Sequence, residues 1–415
     1  MTRRAWFACT SVVALALSGA HAAWADTTLH ALFMAQAGYS EGQIREMTAA
    51  YTAMHPGVKV DLEFVPYESL HDKIMLSKGS SNGYDVVLFD TIWPAEFATK
   101  HVLADVTDRI TSDMKSGILP GTWTTVTYKD HYYGMPWGPD SKYLFYNKVM
   151  LQKAGIANPP KTWEEVEKDA EIIKQKGIVE YPLVWSWSQN EAMICDYTIL
   201  LSAFGGKFIN DDGSPAFQTG GGLKALEYMV GSLKNGTTNP HSTEYLEEDT
   251  RRVFSAGKAA FTLNWTYMWD MAQNQPKESQ VTGQVGVEVA PGAEGISTLS
   301  SVNGAMGLGI PEASQHKDEA WNYIVYLTSE AVEDKYSALA MPAWKASYSN
   351  DVVVKGRQEL MAAVKAALGQ MYPRPTVPNY QQFSAALQQN IQQALLGKVT
   401  PQAALQAAAD SISGD

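Results

Sequence analysis

Cysteine is almost missing from this chain of 415 residues: Cys9 lies in the N-terminal apolar run, and only Cys195 remains beyond it. A mature chain without that run therefore has no intrachain disulfide. Basic residues are also few, 32 Lys and Arg against 44 Asp and Glu. The resulting charge of −12 argues against nucleic-acid binding, which needs a basic surface, and against anionic membranes. It suits a freely diffusing soluble protein. Histidines 30, 55, 71, 101, 131, 241 and 316 are scattered with no H-E-x-x-H or other ligand spacing, so no metal site and no cofactor are expected. A G-x-S-x-G elbow and a nucleophilic cysteine context are missing too, which removes the common acyl-transfer hydrolases. Two carboxylates for glycoside hydrolysis stay open, because such acids can be far apart in the chain. There is no internal repeat and no low-complexity tail.

The start reads as an export signal. Arg3-Arg4 supply the positive end, Trp6 to Leu17 is the apolar run, and Ala23-Trp24-Ala25 offers a cleavage site before Asp26. Ala20-His21-Ala22 is a second possible site, and the paired arginines leave a twin-arginine route open. The run is too short for a permanent anchor, which needs about 20 residues. Cleavage near Ala25 removes two arginines and no acid, taking the charge from −12 to −14. The expected product is a soluble periplasmic protein.

At this length two domains are the default, and alternating strand and helix patterns indicate an α/β fold. Thr28 to Ala35 reads as a strand. Ser40 and Gln43 form a capping box for a helix with Ile44, Met47, Tyr51 and Met54 on one face. Val58, Val60, Leu62 and Phe64 alternate with polar residues, as in a half-buried strand, and Tyr84 to Asp90 reads as a buried one. Pro-marked extended passages near 136–142, 288–293 and 340–345 would serve as crossings between two lobes.

Binding candidates come from strand ends and from aromatics. With 12 Trp and 20 Tyr, the chain has many plates to cover the apolar face of a sugar ring, while Asp, Asn, Arg and Gln satisfy its hydroxyls. Asp90 and Trp93 follow the carboxyl end of a buried strand, where ligands of open α/β sheets sit. Capping of the next helix is the competing role for Asp90. Gln36 and Tyr39 hold the same place after the first strand. Asp140 follows Pro136 and Pro139 at the first expected crossing. Trp163 and Trp321 are assigned to packing.

The run Gly134-Met-Pro-Trp-Gly-Pro-Asp-Ser-Lys-Tyr-Leu-Phe-Tyr-Asn-Lys148, followed by Ala154-Gly155, Pro159-Pro160 and Thr162-Trp163 with Glu165, closely resembles a signature of the extracellular solute-binding proteins, family 1, of ABC importers. Within that family the likeness is to maltose- and trehalose-binding proteins. Phe254-Ser-Ala-Gly-Lys-Ala-Ala-Phe261, with Trp265 after it, resembles the family's F-x-x-GKAAF…W motif. That resemblance puts Trp265 or Tyr267 on a sugar face. Trp185-Ser-Trp-Ser-Gln189-Asn-Glu191 resembles a variable contact loop of the second lobe. Ser301-Val-Asn303-Gly304 stands where the family has a glycine-rich return strand, with Asn303 replacing the first glycine. Met371-Tyr-Pro-Arg374 resembles a proline-rich loop at the cleft. There Arg374 is expected either to pin an aspartate or to bind a carboxylate or phosphate of the ligand.

The resemblance implies a two-lobed periplasmic-binding-protein fold with a cleft between the lobes and three hinge crossings. After the signal peptide, residues 26–138 with 293–342 would form one lobe, and 139–292 with 343–415 the other. It implies a monomeric, non-enzymatic carrier that closes on a mono- or disaccharide or a polyol and delivers it to an ABC transporter permease. A secreted glycoside hydrolase, or the same fold binding an acidic or phosphorylated sugar, are the alternatives.

Overall fold

The computed structural model describes residues 27–36, 38–80 and 83–414; the expected signal segment and both cleavage sites lie outside them. Two sheets organise the chain. The first has the strand order Val58–Val65, Thr27–Met34, Val86–Asp90, Met306–Gly309, Met135–Trp137. Its first three strands are parallel, and Met306–Gly309 runs antiparallel to both neighbours. Register pairs Met306 with both Asp90 and Trp137, so these three residues form one row at the carboxyl edge of the parallel strands.

The second sheet runs Val285–Val289, Tyr143–Asn147, Phe261–Asn264, Leu183–Val184. Tyr143 lies opposite Asn264. The first crossing therefore enters this sheet beside the end of the strand that leads into Trp265. Strand alternation divides the second lobe's core in two: Leu144 and Tyr146 pack on one side, Tyr143 and Phe145 on the other. The first lobe has its own core around Leu29, Phe33, Val87 and Phe89. Only residues 138–142 separate Trp137 in the first sheet from Tyr143 in the second.

Local sequence signals account for much of this. The helix Glu41–Met54 opens with the full capping box of Ser40 and Gln43, and Ile44, Met47 and Tyr51 are buried. Met54, expected on the same face, is 59% exposed, because it sits in the last turn, beyond the sheet that covers the rest. At Trp163–Gln175, Thr162 accepts from the Glu165 amide, but the Glu165 carboxylate reaches the amide of Lys161 rather than that of Thr162. The second crossing lies later than expected. Ala293 and Val302 pack into the second lobe's core, and the chain rejoins the first sheet only at Met306. The hairpin of Pro291–Ala293 with Ser297–Leu299 accounts for the delay.

Candidate ligand-binding site

A cavity of about 330 Å³ lies where the carboxyl edge of the first sheet faces the Tyr143 and Asn264 ends of the second. Of the residues expected from sequence, Gln36, Tyr39, Asp90, Asp140 and Glu191 line it, as do Trp265, Tyr267, Gly304 and Arg374. Trp93, Trp185, Gln189 and Asn303 do not.

The first-lobe wall is aromatic and closely packed. Tyr39 stacks on Trp137 with centroids 4.5 Å apart and planes 12° from parallel. Tyr39 takes φ 45°, a left-handed conformation uncommon for a residue with a side chain, and Gly138 at φ 62° brings the backbone against the same ring. Tyr67 donates its hydroxyl to Asp90 Oδ2 at 2.8 Å and stacks on Trp93 at 5.8 Å. Tyr67 thus faces the cavity in place of Trp93, which is buried among Tyr67, His71 and Phe97.

Arg374 joins the two lobes. Its Nη2 donates to Asp90 Oδ1 at 3.0 Å and to the Asn303 carbonyl at 3.1 Å, and its Nη1 to Glu191 Oε1 at 2.6 Å. Glu191 also accepts from the hydroxyls of Tyr380 and Ser384. Sequence reading left open whether Arg374 pins an aspartate or meets an anionic ligand; here it pins two carboxylates. Asp90 does not cap the following helix, whose N-cap makes no side-chain bond. Asn303 turns away from the cavity, its Oδ1 accepting from the Ala305 amide and its Nδ2 donating to Thr91 and Thr124.

In the second lobe Trp265 is fixed from several directions. Its Nε1 donates to Glu247 Oε1 at 3.3 Å, and Lys142 Nζ lies 5.3 Å from its ring centroid. A Cβ on Gly304 would fall 2.2 Å from Trp265 Cζ3, so the indole occupies space that only glycine leaves free. Tyr267 donates to Glu248. Asp140 accepts from the Thr266 amide and hydroxyl and from the Ser141 amide. Removal from solvent pushes Asp140 up to about 7, against the pull of those donors, which favour the ionised form.

Trp185 belongs to the core: it stacks on Trp187, and its Nε1 bonds Thr238. Gln189 points to solvent, and its neighbour Asn190 bridges the lobes instead, Nδ2 to Glu68 Oε1 at 2.9 Å. Sequence reasoning missed Glu68, Trp137, Glu247 and Glu248 on the wall. The acidic first turn of the helix Glu247–Ser255, two turns ahead of the Phe254 motif, was the available signal.

Two lobes, crossings between them and an aromatic, carboxylate-rich cleft at the junction define a ligand-capturing protein of the bilobal class. Comparison narrows the class. Residues 37–334 match the family described as "Bacterial extracellular solute-binding protein", and the chain belongs to that family. It is 28% identical over 374 residues to a "Probable ABC transporter-binding protein" of Deinococcus radiodurans, covering 85% of this chain and 86% of that protein. Maltose-bound MalE3 of T. maritima superposes with a TM-score of 0.86 at 28% identity, covering 94% and 99% of the two chains. A solute-binding protein of Thermotoga lettingae bound with alpha-D-tagatose gives 0.83 at 27% identity, covering 94% and 99%. No helix among the described residues is long and apolar enough to cross a membrane.

Proposed function

We propose that this protein captures a neutral sugar or polyol in the periplasm and hands it to an ABC transporter permease. The observation that carries the reading is the cavity wall, where aromatic rings (Tyr39 on Trp137, Tyr67, Trp265 and Tyr267) stand beside the carboxylates of Glu68 and Glu247, each with one oxygen that no donor among the described residues reaches. Rings cover the C–H faces of a sugar, and carboxylates accept from its hydroxyls. Maltose and tagatose in the two similar structures support the ligand class.

Capture proceeds by hinge closure, the motion of periplasmic binding proteins as a class. The ligand shifts the lobes together by as much as it prefers the closed arrangement. The contacts already spanning the cleft, Arg374 with Asp90 and Glu191, and Asn190 with Glu68, define that arrangement. The protein acts as a monomeric carrier and not as an enzyme. Asp90 and Glu191 share one guanidinium, and each accepts three hydrogen bonds within the protein, which leaves neither poised as the acid or base of a hydrolase.

The test is a thermal-shift screen of refolded, ligand-stripped protein against neutral sugars, polyols, sugar acids and sugar phosphates, with an aryl glycoside panel alongside. Ligand at about 100 times Kd adds about 2.7 kcal/mol, a rise of about three degrees for a chain of this length. A shift with a neutral sugar or polyol and no glycoside turnover is the expected result. Silence from every sugar and polyol, or turnover of any glycoside, refutes the reading.

A further inference from the structure

Resting on the sugar-capture reading above, we infer that Glu247 sets the ligand class of this site: it accepts a ligand hydroxyl beside the Trp265 ring, and the surrounding carboxylates refuse anions. The argument begins with which acceptors on the wall are still free. Asp90 receives Arg374, Tyr67 and the Ile92 amide. Glu191 receives Arg374, Tyr380 and Ser384. Asp140 receives Ser141 and Thr266, and both oxygens of Glu248 are held by Arg251. Glu247 differs. Its Oε1 takes Trp265 Nε1 and lies 3.4 Å from Lys142 Nζ, while Oε2 has no protein partner among the described residues. Its side chain is 23% exposed, on the cavity wall.

Lys142 is the positioning residue for this acceptor. Its ammonium is fully buried, 2.7 Å from Asp196, and also donates to Ser186 and to the Ala192 carbonyl. Burial works against that charge, and Asp196 and Glu247 outweigh it, raising the lysine above its ordinary range. Glu247 and the indole are thereby held in one fixed relation, with the ring giving a stacking face and the carboxylate an acceptor at its edge.

The charge balance gives the second half of the inference. Among the described residues, six carboxyl groups (Glu68, Asp90, Asp140, Glu191, Glu247 and Glu248), of which Asp140 is partly protonated near neutral pH, and one guanidinium line the cavity. The charge of Arg374 is already balanced by two of those carboxylates, with only its buried Nε–H left without a partner among the described residues, and Lys142 and Arg251 are committed behind the wall. A ligand carboxylate or phosphate meets no uncommitted cation, and like charges at close range are costly. A hydroxyl meets acceptors.

The experiment uses ligand-stripped protein and matched probes, titrated calorimetrically: maltose with maltobionate, D-mannitol with D-mannitol 1-phosphate, and D-tagatose with D-tagatose 6-phosphate. At least one neutral member is expected to bind, with its anionic partner at least a hundredfold weaker. Glu247→Gln keeps the shape and removes the charge. A charge-assisted bond is roughly twice as strong as a neutral one, so this variant is expected to lose about tenfold in affinity for the neutral probe and to narrow the gap to its anionic partner. Glu247→Asp keeps the charge but withdraws the carboxylate from Trp265 and Lys142, and is expected to lose affinity as well, which reports on position and not on charge alone. Wild-type-like melting of each variant checks the fold. An anion that binds as tightly as its neutral partner, or a Glu247→Gln variant within twofold of wild type, overturns the inference and leaves sugar capture standing. Failure of every probe, neutral and anionic, counts against sugar capture itself, and the inference falls with it.

Discussion

Replacing Arg374 by methionine removes the positive charge that Asp90 and Glu191 share. The side chains of Arg374, Asp90 and Glu191 are 1%, 6% and 9% exposed, so the substitution leaves two carboxylates close together and largely out of water. Removing one partner of a buried ion pair costs about 3–5 kcal/mol, because the remaining charge is left uncompensated. Unfolding entropy of about 2.1 cal/mol/K per residue, over roughly 390 residues, turns this into a fall in melting temperature of about 4–6 degrees. Equilibrium urea unfolding gives the free energy directly, with an unchanged m-value showing that the native state stays compact. Adding Glu191→Gln to Arg374→Met removes one stranded charge and should restore part of the loss, so the two changes are non-additive. An Arg374→Met variant that loses less than about 1 kcal/mol, or losses that simply add, would refute the claim that the guanidinium holds the carboxylates in a dry junction.

Two further predictions concern the same cleft. Gly304→Ala puts a methyl group where Trp265 Cζ3 stands. The indole must swing and break its bond to Glu247, so ligand affinity should fall by about 30-fold or more, equivalent to roughly 2 kcal/mol. Near-ultraviolet circular dichroism should report the displaced tryptophan, and wild-type affinity in this variant would contradict the packing. For Asp140, a folded value near 7 lies above the ordinary carboxylate value, so the folded state binds more protons than the unfolded one between about pH 4 and pH 7. Stability therefore falls as pH rises through that window and levels off above it. Relative to Asp140→Asn, wild type should lose about 2 kcal/mol between pH 5 and pH 8, less than the full shift implies because the side chain faces cavity water. A pH-independent difference between the two proteins would show that Asp140 is ionised throughout.

What the sequence made legible follows from how far each signal reaches. The Ser40–Gln43 box, the alternation in Val58–Val65 and the all-buried Val86–Asp90 are local patterns, and each produces the element it indicates. The strand-end rule brought Gln36, Tyr39 and Asp90 to the cavity because that edge of a parallel sheet faces the second lobe. It failed for Trp93, since being next to a strand end does not say which ring turns outward; Tyr67, from another helix, takes that place. Trp185 and Asn303 were misplaced for the same reason: their partners, Thr238 in one case and Thr91 and Thr124 in the other, are far away in the chain. Glu247 went unnoticed because three acids in a helix's first turn look like a solvated face. Only the lobe junction sets one of them against a tryptophan and a buried lysine.

The central claim, that a neutral sugar or polyol is held against Trp265 between the lobes, is tested most directly by an intrinsic-fluorescence titration. The strongest neutral ligand from the screen is titrated into wild type and into Trp265→Ala. Stacking on the indole together with the Glu247 edge predicts saturable binding to wild type and a loss of at least 30-fold in the variant, about 2 kcal/mol, measured below the variant's own melting temperature, which lost packing of the indole lowers. Equal affinity in both proteins, read by calorimetry where the fluorescence change is lost, would place the ligand elsewhere and contradict the account.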